Sequence, residues 1–131
     1  MLQPGITQEL TFSVTQSLTA QAVGSGTLPV LATPVMIARM EQAAWQAVAP
    51  HLSPEESTVG IHMDVEHLSP TPAGMEVTCR AELLQVEGRR LTFRVTAWDA
   101  KGPVGEGTHV RAVIQSSRFL DKAQKKMQGL G

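Results

Sequence analysis

Three polar side chains in this sequence can combine into one chemistry: the hydroxyl of Thr33, the carboxylate of Glu41 and the imidazole of His67. An imidazole moves protons near neutral pH, and a carboxylate beside it orients the ring and stabilises its charged form. A hydroxyl at a helix N-terminus adds a nucleophile, or a hold on water, where the helix dipole favours a developing oxyanion. Thr33 and Glu41 stand eight residues apart in "ATPVMIARMEQAAW", residues 32–45. That spacing separates them by about 12 Å along a helix, so His67 or a water has to mediate between them.

The elements that position these groups follow from patterning. Thr33 followed by Pro34 predicts a helix start, with the threonine as N-cap (worth about 1 kcal/mol) and the proline at the first helical position. The helix should run to about Val48 and end where Pro50 and Pro54 prevent continuation. Set around a helical wheel, Arg39, Gln42 and Gln46 form one polar stripe. Glu41 falls on the opposite side with Ile37, Ala44, Trp45 and Val48, as a desolvated carboxylate that needs a partner. The bland alternative is a core glutamate tied to a backbone amide or a structural arginine.

Residues 6–18 alternate Leu10, Phe12 and Val14 with polar neighbours, the period of a half-buried strand, and "AVGSGTLPVL" then forms a loop. Four more segments have strand character: 58–67, 75–86, 89–99 and 104–116, with Glu87-Gly88 predicting a tight hairpin between the second and third. In the 58–67 segment Val59, Ile61, Met63 and Val65 share a face that ends in His67, while His62, Asp64 and Glu66 point to solvent. An inward histidine on its own is more often a satisfied core residue than a catalyst. One strand, one long helix and a four-strand meander make an α+β domain whose sheet wraps the helix, an order that suits the hotdog architecture. The chain is expected to form a single domain over residues 1–131, with a tail from about 117 that is helical or frayed.

Composition narrows the function. Charged residues are 18% of the chain and the formal net charge is -1, so no electrostatic footprint for nucleic acid or an anionic membrane is present. Cys79 is the one cysteine, which excludes an intrachain disulfide and a cysteine-based metal cluster and makes a cytoplasmic location the default. No stretch reads as a signal peptide or membrane span. His51, His62, His67 and His109 form no compact ligand motif, so no metal is expected.

At "AT" with Glu41 following in "MEQAAW", at "APHLSPEESTVGIHMDVEH" ending in His67, at "PTPAGMEVTCRAELLQVEGRRLTFRVTAWD" and at "GEGTHVRAVI", the sequence resembles the fluoroacetyl-CoA thioesterase family of hotdog proteins. The resemblance covers about residues 30–116. It implies a catalytic set of Thr33, Glu41 and His67, with the Gly60 N–H near the thioester carbonyl, Arg111 near the acyl-CoA pocket and the site built at a dimer interface. It further implies an acyl-CoA substrate, no separate cofactor, and a homodimer or a tetramer. Gly60 by itself reads as a bulge or a close backbone approach, Arg111 equally as an ion-pair residue, and Arg89 and Arg90 as exposed side chains. Pro34 stands where the resemblance calls for glycine, and "AVGSGTLPVL" differs from the longer apolar lid of the fluoroacetyl-specific pocket. The expected activity is therefore hydrolysis of a short or medium acyl-CoA. Alternatives are a non-catalytic acyl-CoA or small-ligand binding module, and a hotdog hydratase or dehydratase.

Overall fold

The computed structural model describes residues 1–130. Strand β1 (Thr7–Ser13) leads through a short 3-10 turn and helix α1 (Ala20–Val23) to the long helix α2 (Thr33–Val48). Strands β2 (Glu56–His67), β3 (Glu76–Glu87), β4 (Arg90–Asp99) and β5 (Gly102–Gln115) follow, and helix α3 (Ser116–Gln124) comes after them. The five strands form one antiparallel sheet in the order β1-β3-β4-β5-β2, with α2 packed against its concave face. This is the expected hotdog arrangement, and β1 and β2 are its edges.

Period-two alternation makes the sheet and period-3.6 makes the helix. Val77, Cys79, Ala81 and Leu83 of β3 and Leu91, Phe93, Val95 and Ala97 of β4 all point inward. Met36, Met40, Ala43, Ala44, Ala47 and Val48 of α2 meet them. Cys79 lies within this layer, where burial pushes its thiol up to about 12, so it stays protonated and inert. Gly105 of β5 admits the first turn of α2: a Cβ there would stand 2.5 Å from the Met36 sulfur.

The local structure departs from the sequence reading at several points. Part of the segment expected as strand and loop folds into the 3-10 turn Gln16–Leu18 and α1. The hairpin turn is Gly88-Arg89, one residue later than expected, because the left-handed conformation (φ 61) falls on Gly88 while Glu87 still pairs with Arg90. Most consequential is β2, whose register against β5 shifts between Gly60 and His62. Ile61 is the extra residue of this bulge. Thr58 and Gly60 face the helix before it, and Met63, Val65 and His67 face inward after it. The single shared face expected for Val59, Ile61, Met63 and Val65 is thus broken, and Ile61 is 49% exposed. No helix among the described residues is long and apolar enough to cross a membrane.

Candidate active site

The start of α2 is tied to the end of β2 by the chain on both sides. Ala32 N–H donates to the Leu18 carbonyl and Leu31 N–H to the Thr71 carbonyl. Leu68 N–H donates to the Val104 carbonyl, and the Ser69 hydroxyl to the Pro103 carbonyl. The Thr71 hydroxyl donates to Asp99, whose other oxygen accepts from Lys101 N–H. These bonds bring Thr33 Oγ1 to 2.7 Å from His67 Nδ1, a proton-transfer distance.

Thr33 is not the N-cap. Ala32 holds the extended backbone of that position, and no side chain caps the helix. Thr33 occupies the first helical position with Pro34 behind it, and its hydroxyl is directed to the imidazole. Burial lowers the His67 pKa, offset in part by the Ser69 backbone, so the ring is neutral and able to accept a proton at pH 7. Its Nε2 is buried with no hydrogen-bond partner among the described residues. A cleft of about 330 Å³ opens beside the pair, walled by Ala20, Val30, Leu31 and Leu68.

Glu41 belongs to a second cluster, farther along α2. Its side chain is 40% exposed, at the edge of the helix face beside the exposed Trp45, and not within the core as the wheel suggested. Trp45 is what misled the wheel, since it marks a face that the sheet of this chain does not cover. Glu41 accepts from Arg111 Nη1 at 3.1 Å. Arg111 is 6% exposed and fully engaged: Nε donates to the Thr58 hydroxyl at 2.8 Å and Nη2 to the Thr58 carbonyl at 2.9 Å. Burial lowers the guanidinium pKa while Glu41 raises it, and arginine keeps its charge in such a setting. Gly60 closes the cluster, since a Cβ on it would stand 2.5 Å from Glu41 Oε2. A cleft of about 450 Å³ lies against Arg111, Thr58 and Trp45.

Within one chain, then, the five residues singled out by sequence fall into two groups. Thr33 joins His67, and Glu41 joins Arg111 and Gly60, while Glu41 and His67 each have other partners. His109 and Thr58 are members of the second group that sequence reasoning passed over. The signal was there: His109, Arg111 and Val113 alternate along β5, so an imidazole and a guanidinium share an inward face. By contrast His62, Asp64 and Glu66 lie on the solvated face, as expected.

A family model described as "Fluoroacetyl-CoA-specific thioesterase" matches residues 14–117. The chain belongs to the fluoroacetyl-CoA-specific thioesterase family. Among members of this family, it is 46% identical over 97 residues to the fluoroacetyl-CoA thioesterase of Streptantibioticus cattleyicolor, a match spanning 74% of this chain and 70% of that protein. The solved structure of the fluoroacetyl-CoA thioesterase FlK superposes with a TM-score of 0.90 at 38% identity, covering 96% of this chain and 98% of that one. A Thermus thermophilus thioesterase superfamily member superposes with a TM-score of 0.89 at 25% identity, covering 100% and 98%. The resemblance noted from motifs therefore holds for family and hotdog fold alike.

Proposed function

We propose that this family member hydrolyses a short or medium acyl-CoA thioester to the free acid and CoA, with Thr33, His67 and Glu41 as its reacting and supporting groups. Family membership supports thioester hydrolysis; the contact of 2.7 Å between Thr33 Oγ1 and His67 Nδ1 is the observation that carries the assignment of the site. His67 Nδ1 takes the proton of the Thr33 hydroxyl, or of a water held by that hydroxyl, as the oxygen attacks the thioester carbon. The tetrahedral oxyanion is stabilised by the positive end of α2 and by the Gly60 N–H that the second protomer contributes. The C–S bond then breaks and the imidazolium gives its proton to the leaving CoA thiolate. Where water attacks, the free acid forms in this step. Where Thr33 attacks, a water then cleaves the acyl-threonine ester, its proton passing through His67 Nδ1 to the departing Thr33 oxygen.

The site is completed between two protomers. Strand β2 is an edge strand of twelve residues, free to pair with a second copy. Antiparallel pairing about an axis at Asp64 sets Met63 opposite the partner's Val65, both inward. It then places the Gly60–Ile61 bulge, and with it Glu41, opposite the partner's His67. The unpartnered His67 Nε2 and the exposed apolar side chains of Trp45 and Ile61 support a second copy on this edge, since within one chain the first lacks a hydrogen-bond partner among the described residues and the other two lack cover. A carboxylate on Nε2–H fixes the tautomer in which Nδ1 is free to act on Thr33.

The test is free-thiol release from a panel of acyl-CoAs, including acetyl-CoA and fluoroacetyl-CoA, for the wild type and for Thr33→Ala, Glu41→Gln and His67→Ala. The proposal expects hydrolysis of at least one short or medium acyl-CoA, and losses of about 10²-fold or more for His67→Ala. Rates that do not change in any variant would remove the site assignment, and no hydrolysis with tight CoA binding would point to a binding module.

A further inference from the structure

His109 is the buried titratable group for which the reaction above has no use. It lies on β5 at 1% exposure, its ring stacked 6.2 Å from that of Phe93. Nδ1 stands 2.8 Å from the His62 carbonyl, and a carbonyl only accepts, so Nδ1 carries the hydrogen. Nε2 stands 3.2 Å from Arg111 Nη1, and a guanidinium only donates, so Nε2 is bare. Both contacts call for the same neutral tautomer. Burial and the Arg111 charge push the His109 pKa down, against the opposing pull of the His62 carbonyl and of Glu41. The approach of Glu41 to the ring, 3.8 Å, is accordingly not an ion pair.

The position of the two partners gives this ring its meaning. His62 is the residue at which β2 regains its register after the bulge, and Arg111 is the residue that holds Glu41. One imidazole thus spans the bulge that presents Gly60 and the cation that presents the carboxylate. Gly60 is fitted to the same spot: its missing Cβ would stand 3.1 Å from His109 Cε1 as well as against Glu41.

We infer that His109 is a positioning residue for thioester hydrolysis, pinning the Gly60–Ile61–His62 bulge to Arg111 so that the Gly60 N–H and the Glu41 carboxylate keep a fixed separation. Its two hydrogen bonds go to Arg111 and to the backbone of β2, and it acts through them. The inference rests on the hydrolase reading for its functional part, while its geometric part is measurable without substrate.

Two variants and one spectrum test it. His109→Leu keeps an apolar body in the core and deletes both bonds; His109→Gln supplies an N–H donor and a carbonyl acceptor in one permanently neutral amide. With the acyl-CoA that the wild type hydrolyses best, His109→Leu should lower kcat about 10- to 100-fold, as expected for a misplacement near 1 Å, with KM within about threefold. His109→Gln should recover kcat to within about fivefold of wild type. In the unmodified protein, 15N NMR of the imidazole should show the Nδ1–H tautomer with a bare Nε2 at pH 7 and above. Wild-type kcat in His109→Leu, a His109→Gln variant as slow as His109→Leu, or an Nε2–H or charged ring at pH 7 would each overturn the inference. Where His109→Leu does not fold, the comparison of His109→Gln with wild type and the NMR spectrum decide. A wild type without activity toward any acyl-CoA would sink the hydrolase reading itself, and the spectrum would still report on the ring.

Discussion

A guanidinium with four acceptor contacts holds the second cluster together, and the consequences of disturbing it differ by residue. Arg111 is bonded to Thr58 twice, to His109 and to Glu41. Replacing it by methionine leaves the Thr58 and His109 acceptors without a donor in a buried place. The expected loss is about 2–4 kcal/mol of unfolding free energy, read as a lower urea midpoint at unchanged m value. Glu41→Gln keeps a carbonyl acceptor for Arg111, and its effect should fall on turnover more than on the urea midpoint. Gly60→Ala is a steric question: the added methyl lands where Glu41 Oε2 now is, so the carboxylate has to move. Turnover should fall about 10²-fold, in keeping with a reacting geometry displaced by an ångström. Unchanged kcat in Gly60→Ala would show that the carboxylate position does not matter.

At the scale of elements, the inward faces of β3 and β4 were legible in the sequence, since strict alternation such as Val77, Cys79, Ala81 and Leu83 has one solution on a one-sided sheet, while the position of the turn between them and the register shift between Leu83 and Gln85 were not. The start of α2 was legible too, but not its capping. A threonine before proline satisfies the local rule for an N-cap, and the competing interaction that wins comes from His67, thirty-four residues away. The β2 bulge was legible only in part: Gly60 marks a bulge or a close backbone approach, but that Ile61 is the inserted residue, and that the inward face changes there, shows only in the register against β5. Glu41 was found by its odd place on the wheel, yet its partner on β5 could not be named from periodicity. Helix α2 is held by its buried face, so Met40→Ala should cost about 2–5 kcal/mol by creating a cavity against the sheet. A loss below about 1 kcal/mol would mean that the helix is not packed as described.

At the scale of the whole molecule, two histidines with lowered pKa set the pH dependence of stability. The unfolded chain protonates both near pH 6.5, whereas the folded chain resists until lower pH. The unfolded state therefore binds more protons in that interval, and stability is fully present above about pH 6.5 and lost progressively as pH falls toward the folded values. Thermal unfolding between pH 8 and pH 5 should show Tm level at first and then falling, with a shallower fall in His109→Gln. A Tm that rises as pH drops through 6 would contradict the assignment of both rings as neutral.

The proposed dimer belongs to this scale as well, because Glu41 and His67 have separate partners within one chain. A heterodimer that pairs a Glu41→Gln subunit with a His67→Ala subunit, purified through two different tags, separates the possibilities. If each site takes Glu41 from one protomer and His67 from the other, one of its two sites is intact. Thiol release per dimer should then be about half that of wild type, while both mutant homodimers are nearly inactive. A heterodimer as inactive as its parents would contradict a shared site.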